Sequence, residues 1–317
     1  MNTDELRKEI ERLTSLDTLD DLFDLTDIFE RFLFRVMESQ DFTEKTAREA
    51  DAMTILQMVF VKLLAAKKLL TGVNYNDKET GAKLKKLIDP TTVAAHVQNT
   101  FETISMFYIV YVKPENDEER LILYNLWVLS GLNYRQRFTK YAAGEESKQI
   151  LKDDQEIIKD LTSQIENSAL FKNLDAKNQG KILSAIDDNE YKLVFRGNEV
   201  SLLSWQDTFN TMNLKSNLFD DNYTYFSFYS HPSNVSVFQF SQMFGTENNA
   251  YADLVKYNFK NLMVLLSIFV HDYIELFPDR LKIYESLTLK DQVMIDAFNV
   301  LFRGHNKSIN GAWKKIL

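Results

Sequence analysis

The chain contains no cysteine among its 317 residues. Without thiolates it has no disulfide framework, cysteine-ligated zinc site, iron–sulfur cluster or cysteine nucleophile. It also lacks the H-E-x-x-H, P-loop, G-x-G-x-x-G and G-x-S-x-G motifs. No glutamate stands three positions before any of the four histidines, which excludes the di-iron pattern of helical bundles. We therefore expect neither a cofactor nor a metal ion.

Proline and glycine are scarce, with 4 and 9 residues respectively. Because few residues interrupt regular structure, the chain favours long secondary-structure elements, and elements of such length are typically helices. Hydrophobic residues make up 45% of the chain, and 23 Phe and 14 Tyr supply large side chains for a core. Apolar residues recur at helical spacing through most of the sequence. The predicted fold class is all-α, a multi-helix bundle with a long N-terminal helical extension.

Long hydrophobic runs are also missing. The most apolar stretch, residues 262–270, is too short to span a bilayer. The first five residues carry no basic head and no apolar run, so we expect no signal peptide. These observations predict a soluble cytoplasmic protein with no membrane partner.

Positive charge is deficient, and the deficit lies near the N-terminus. The net charge is −9, and residues 1–60 hold 15 acids and 7 bases, which gives −8 for that segment. An acidic face disfavours nucleic acid as a partner, although a charge run is most often only a solvated helix face. The partner stays open between another protein and a second copy of the chain.

Helix-start signals divide the chain. Thr46-x-x-Glu49 resembles a capping box, and Asp89-Pro90 reads as an N-cap followed by a first-turn proline. We expect an acidic helical region over residues 1–88 and the main helical bundle over residues 89–317. The segment 74–87 is predicted to be a loop, and residues 191–195 a short strand with no evident partner strand.

One segment of the main bundle concentrates chemically capable side chains. Tyr223, Ser227 and His231 follow one another at intervals of four, which places a phenol, a hydroxyl and an imidazole on one helical face. Pro232 disfavours helical backbone at residue 231, so the helix is predicted to end there. The three side chains form either a structural hydrogen-bond ladder or a site in which His231 acts as acid or base.

These residues carry a family resemblance. Tyr223, Ser227, His231 and Pro232, downstream of a helical region with Glu102 and the Arg120/Tyr124 pair, resemble a bacterial family of uncharacterised helical proteins, a domain of unknown function. Members show a Tyr-x-x-x-Ser-x-x-x-His signature near the C-terminal third, and the resemblance covers roughly residues 90–280. The family carries a basic residue four positions before its glutamate, where this chain has Gln98.

The resemblance implies a helical fold and brings Glu102 and Arg120 towards His231. It extends remotely to helical RNases of prokaryotic defence and toxin systems. Those enzymes carry an arginine four to six residues before a histidine, and this chain has no such pair.

Two function classes follow. The first is a binding or interaction module in which the Tyr223–Ser227–His231 ladder is structural. The second is a nucleic-acid-processing or hydrolytic enzyme, with His231 as acid or base, Ser227 and Tyr223 as orienting groups, and Glu102 in the same site. Missing metal ligands and the acidic balance favour the first class.

Two other polar motifs are assigned structural roles. His271-Asp272 follows the apolar run and is predicted to be the polar end of a buried helix. The basic turn that begins at Arg303 is predicted to complement a helix C-terminus.

Overall fold

The computed structural model describes residues 3–215, 221–231, 233–244 and 250–315, and 76% of these residues are helical. The α-helices of this part are, in order, α1 Thr3–Ser15, α2 Leu19–Glu38, α3 Ala47–Leu70, α4 Pro90–Phe107, α5 Asp117–Gln136, α6 Glu145–Asn167, α7 Ala169–Asn173, α8 Ala176–Asp187, α9 Trp205–Thr211, α10 Asn222–Ser230, α11 Asn234–Phe244, α12 Ala250–Leu276, α13 Leu281–Glu285 and α14 Leu289–Arg303. The prediction of an all-α fold is confirmed.

Predicted helix starts agree with the structure. Thr46 caps α3 in a reciprocal capping box with Glu49. Asp89 accepts the Thr91 N–H at 2.9 Å just before α4. That helix continues into a π-helical turn, Tyr108–Val112, close to the end that the sequence indicates.

Strands are confined to two small antiparallel hairpins in the described residues. β1 Val73–Asn76 pairs with β2 Lys83–Leu87, and β3 Leu193–Arg196 pairs with β4 Glu199–Leu202. The expectation of a loop over 74–87 was wrong. Gly72 allows the first hairpin to fold back, because a Cβ there would lie 2.8 Å from the Lys86 carbonyl carbon.

Contacts group the chain into two compact units. The first comprises the described residues within Met1–Ser105 and Met212–Leu317, and the second comprises Met106–Thr211. In the first unit α12 packs on α14, while α2 packs on α3, α12 and α14. The predicted boundary at residue 88 falls inside this unit, because the N-terminal helices share its core with the C-terminal ones.

The second unit has its own apolar core. Helix α5 packs against α6, α7 and α8, and α8 contacts β4. Fully buried members of the core come from helices and from the second hairpin: Ile122, Leu123, Leu126, Ile165, Ile182, Leu193 and Val200.

Among the described residues, no single helix is long and apolar enough to cross a membrane. Ala252–Leu276 and Pro278–Glu285 meet the length and composition requirement only as a pair, which is bent by 116°.

Candidate functional site

Helix α10 carries Tyr223 and Ser227 one turn apart, and His231 follows directly after its last residue. The helix runs from Asn222 to Ser230, and His231 is its C-cap with extended backbone (φ −105°, ψ 131°). The His231 N–H donates to the Ser227 carbonyl at 3.0 Å, which closes the last turn. Asn222 anchors the other end, since its amide donates to Asn261 Oδ1 on α12 at 2.9 Å. The prediction that one helix carries Tyr223 and Ser227 and ends at His231 is confirmed, and a face shared by all three side chains stays a prediction.

Tyr223 faces α4. Its ring lies 5.8 Å from that of Phe101, at an interplanar angle of 49°. Burial raises the pKa of Tyr223, and the nearby carboxylate of Glu102 raises it further, because both disfavour the phenolate. Gln98 offsets part of the shift by hydrogen-bonding the phenol, and its amide also donates to Glu102 at 3.1 Å. The structure thus brings Tyr223 together with Glu102 and Gln98.

The polar surroundings of Tyr223 extend to α3. Lys62 donates to Asn99, and burial lowers the pKa of its ammonium, although the Glu102 carboxylate opposes that shift. His96 hydrogen-bonds the Lys62 carbonyl at 2.7 Å, and burial lowers the pKa of its imidazole. Lys62, Glu102 and Tyr223 therefore form one electrostatically coupled group on α3, α4 and α10.

His231 lies at the exposed end of the motif. Its side chain is exposed and that of Ser227 is half-buried. Within the described ranges, neither the imidazole nor the Ser227 hydroxyl forms a side-chain hydrogen bond. Arg120 belongs to the second unit, where its guanidinium donates to Asp117 at 2.9 Å. Its proximity to His231 stays a prediction.

Because the His231 side chain is exposed, its removal should have little effect on stability. We expect His231→Ala to change the free energy of unfolding by no more than about 0.5 kcal/mol, because no buried partner loses a hydrogen bond. Urea titration of both proteins measures this change. A loss of about 1–3 kcal/mol, the cost of orphaning a buried polar group, would instead indicate a structural ladder.

A cavity lies beside this motif, between α4, α10 and α11. Its volume is about 250 Å³, and its lining consists of Thr91, Tyr229, Ser230, Ser236, Val237 and Phe240. The cavity was not predicted from the sequence. The available signal was α11 itself, a helix of 11 residues without a charged side chain.

Each hydroxyl that lines the cavity already donates its proton within the chain. The acceptors are the Asp89 carboxylate for Thr91, the Gln239 amide oxygen for Tyr229, the Phe226 carbonyl for Ser230 and the Ser233 carbonyl for Ser236, at 2.5–2.9 Å. A hydroxyl has one proton to donate. These four hydroxyls therefore offer no free donor to a phosphate or a carboxylate, and the other lining residues that the structure describes, Val237 and Phe240, are apolar.

The two polar motifs assigned structural roles meet in the first unit. Arg303 donates to both carboxylate oxygens of Asp272, at 2.5 and 3.0 Å, and to the Met212 carbonyl at 2.8 Å. His271 Nδ1 lies 3.1 Å from Asp272 Oδ1, and Lys307 Nζ lies 3.3 Å from Glu275 Oε1. Burial raises the pKa of Asp272, but the hydrogen bond from His271 and the charge and hydrogen bonds of Arg303 outweigh it and hold that pKa below its usual value.

His271, Asp272 and Glu275 are close enough to share a metal ion, since their ligand atoms lie within 4.8 Å of one another. Arg303 and Lys307 already bind the two carboxylates. A divalent cation would be repelled by Arg303 and Lys307 unless it displaced them. The cluster is therefore better described as an internal ion-pair network.

Asp296 on α14 is buried without a cationic hydrogen-bond partner among the described contacts. Its carboxylate accepts from the Ser308 hydroxyl at 2.6 Å and from the Ile309 N–H at 3.1 Å. Burial raises the pKa of Asp296, because the charged form is poorly solvated there.

The raised pKa of Asp296 in the folded chain predicts that stability depends on pH. The unfolded chain releases the proton near pH 3.8 and the folded chain at a higher pH, so wild type loses stability as the pH rises between these values. Asn at this position does not titrate. We expect the free energy of unfolding of Asp296→Asn, relative to wild type, to rise with pH above 3.8 in urea titrations. A difference that stays flat or falls would contradict the assignment.

Comparison of the chain with protein-family models, with curated proteins and with solved structures gives no match. The family resemblance built on the Tyr-x-x-x-Ser-x-x-x-His signature stays a prediction.

Proposed function

We propose that the protein is a binding module whose cavity between α4, α10 and α11 receives an apolar side chain of a partner protein. The hydrogen bonding of the lining hydroxyls supports this proposal, because all four donate their protons to acceptors within the chain. Active sites need several polar groups that converge on a ligand. This cavity instead presents apolar wall.

The size of the cavity supports a side chain as occupant. Pockets for cofactors and drug-sized ligands usually measure about 300–1,000 Å³. A cavity of about 250 Å³ is below that range and suits one large aliphatic or aromatic group. Interfaces commonly use such an anchor, placed in a well-desolvated pocket.

The rim of the cavity is apolar as well. Helix α11 exposes Val235, Val237 and Phe238 at 45%, 59% and 60% of their surface. Single exposed apolar residues are ordinary, but three on one short uncharged helix beside a cavity are typical of a contact surface. We expect the partner segment to be uncharged and apolar around the side chain that enters the cavity, because α11 has no charged residue with which a charged segment could pair.

A displayed peptide library tests the proposal. Peptides are selected on wild type, and binding is then measured to Val237→Asp and to Val73→Asp, a control on the peripheral hairpin with 64% exposure. We expect selected peptides to share one large apolar residue, to lose at least about tenfold in affinity for Val237→Asp, and to bind Val73→Asp like wild type. Peptides without such a residue, binding that ignores Val237→Asp, or a failure to enrich any peptide would contradict the proposal.

The enzyme alternative is supported by a different observation. His231 is exposed at the end of α10, and Tyr223, earlier on the same helix, is coupled electrostatically to Glu102 on α4. In this proposal His231 exchanges a proton with a nucleic acid substrate. Wild type should then cleave single-stranded RNA, and His231→Ala should abolish cleavage while melting like wild type. Wild-type protein that leaves RNA intact would contradict it.

A further inference from the structure

Helix α3 is apolar on two opposite faces. One face is buried in the first unit and includes Leu56, Val59 and Leu63. On the opposite face Met58 and Val61 are exposed at 47% and 60% of their surface. A helix at the surface of a soluble domain normally has one apolar stripe, and a second stripe indicates a second contact.

The residues of this face follow a regular spacing, and all but the half-buried Asp51 are exposed. They stand at alternating intervals of three and four: Asp51, Thr54, Met58, Val61, Ala65 and Lys68. We call these six residues the outer seam. This is the spacing with which one helix packs along another in a coiled coil. The Thr54 hydroxyl donates to the Ala50 carbonyl at 2.9 Å, so the centre of the outer seam offers apolar groups.

We propose that the outer seam of α3 binds the same seam of a second copy of this chain, with the two helices antiparallel. The spacing of the outer seam is symmetric about its centre. If Met58 of one copy lies opposite Val61 of the other, then Thr54 lies opposite Ala65 and Asp51 lies opposite Lys68. Every position of the outer seam then meets another position of the same seam, as a twofold symmetric interface requires.

Charge selects the antiparallel direction. The outer seam spans 17 residue steps, about 26 Å of helix, with a carboxylate at its N-terminal end and an ammonium at its C-terminal end. Antiparallel pairing places Asp51 of each copy beside Lys68 of the other. A parallel pair would place Asp51 beside Asp51 and Lys68 beside Lys68, and like charges at both ends would oppose it.

A second copy fits this surface better than another protein does, because the outer seam is complementary to itself in both charge and spacing. One helix pair is a small interface, so we expect a dissociation constant in the micromolar range. The interface is on α3, apart from the cavity at α10 and α11, so its test does not depend on the proposed binding function.

Sedimentation equilibrium over a wide concentration range tests the dimer with charge reversals. We expect Asp51→Lys and Lys68→Asp each to weaken dimerisation by about tenfold, because both end contacts become repulsive. Circular dichroism checks that each single variant keeps the wild-type helix content. An equimolar mixture of the two single variants should form heterodimers, and the double variant should regain wild-type affinity, because both arrangements restore opposite charges at each end.

A substitution at the centre of the outer seam gives a second test. Val61→Glu places two carboxylates in the apolar contact and should weaken dimerisation by at least about 100-fold. Val73→Glu, on the exposed first hairpin, should leave it unchanged. A wild-type chain that is monomeric at every concentration would overturn the proposal, as would a dimer insensitive to Val61→Glu. Single charge reversals that dimerise like wild type would overturn the antiparallel pairing.

Discussion

We expect Asp272→Ala and Arg303→Ala each to lower the free energy of unfolding by about 3–5 kcal/mol, because each leaves the other charge buried and uncompensated. The side chains are only 3% and 2% exposed, and they share two hydrogen bonds. Arg303 also donates to the Met212 carbonyl, so its removal orphans that buried acceptor too. Urea titration at neutral pH measures both losses.

The double variant distinguishes an unpaired charge from a simple loss of packing. Asp272→Ala with Arg303→Ala should cost clearly less than the sum of the single losses, since neither charge remains. Glu145→Ala is the control, because Glu145 pairs with Lys148 at the surface and is 92% exposed. That control should stay within about 0.5 kcal/mol of wild type. A double variant that loses as much stability as the two single variants together would mean that Asp272 and Arg303 do not act as a unit.

We expect Phe32→Ala to lower the free energy of unfolding by about 3–5 kcal/mol, because a fully buried ring leaves a cavity. Phe32 lies in the core of the first unit, with its ring 6.2 Å from that of Tyr284 and nearly perpendicular to it. Thermal and urea unfolding measure the loss.

Phe34 supplies a matched control two residues along the same helix. Its ring is 43% exposed and contacts Phe60 at 5.8 Å, so Phe34→Ala removes the same atoms from the surface. We expect that variant to lose less than about 1.5 kcal/mol. Equal losses for Phe32→Ala and Phe34→Ala would show that the assignment of α2's buried face is wrong.

Much of the helical fold is predictable from the sequence because its signals are local. The capping box at Thr46 and the proline after Asp89 act within one turn, and both mark helix starts in the structure. The sequence predicted a strand over residues 191–195, but its partner strand β4 was missed because the only signal for the pairing is a two-residue turn. Gly197 adopts φ +59° there, and with Asn198 it connects β3 to β4.

The site was less predictable, because its parts come from separate helices. Spacing alone places Tyr223, Ser227 and His231 on one face of α10, but it does not show that Tyr223 lies against Glu102 while His231 faces solvent. The ion pair between Asp272 and Arg303 joins motifs that stand 31 residues apart in the chain. The cavity depends on α4 and α11 meeting α10, which no periodicity indicates.

The most direct test of the proposed binding site is a nuclear magnetic resonance titration of valine-methyl-labelled protein with N-acetyl-phenylalaninamide, a single apolar side chain without charge. Val237 lines the cavity and Val73 lies on the exposed first hairpin, outside the residues that line it, so they serve as reporter and control. We expect saturable shift changes at the Val237 methyl groups, none at Val73, and loss of saturable binding in Val237→Asp. A Val237 signal that does not move, or that moves no more than the Val73 signal, would contradict the account.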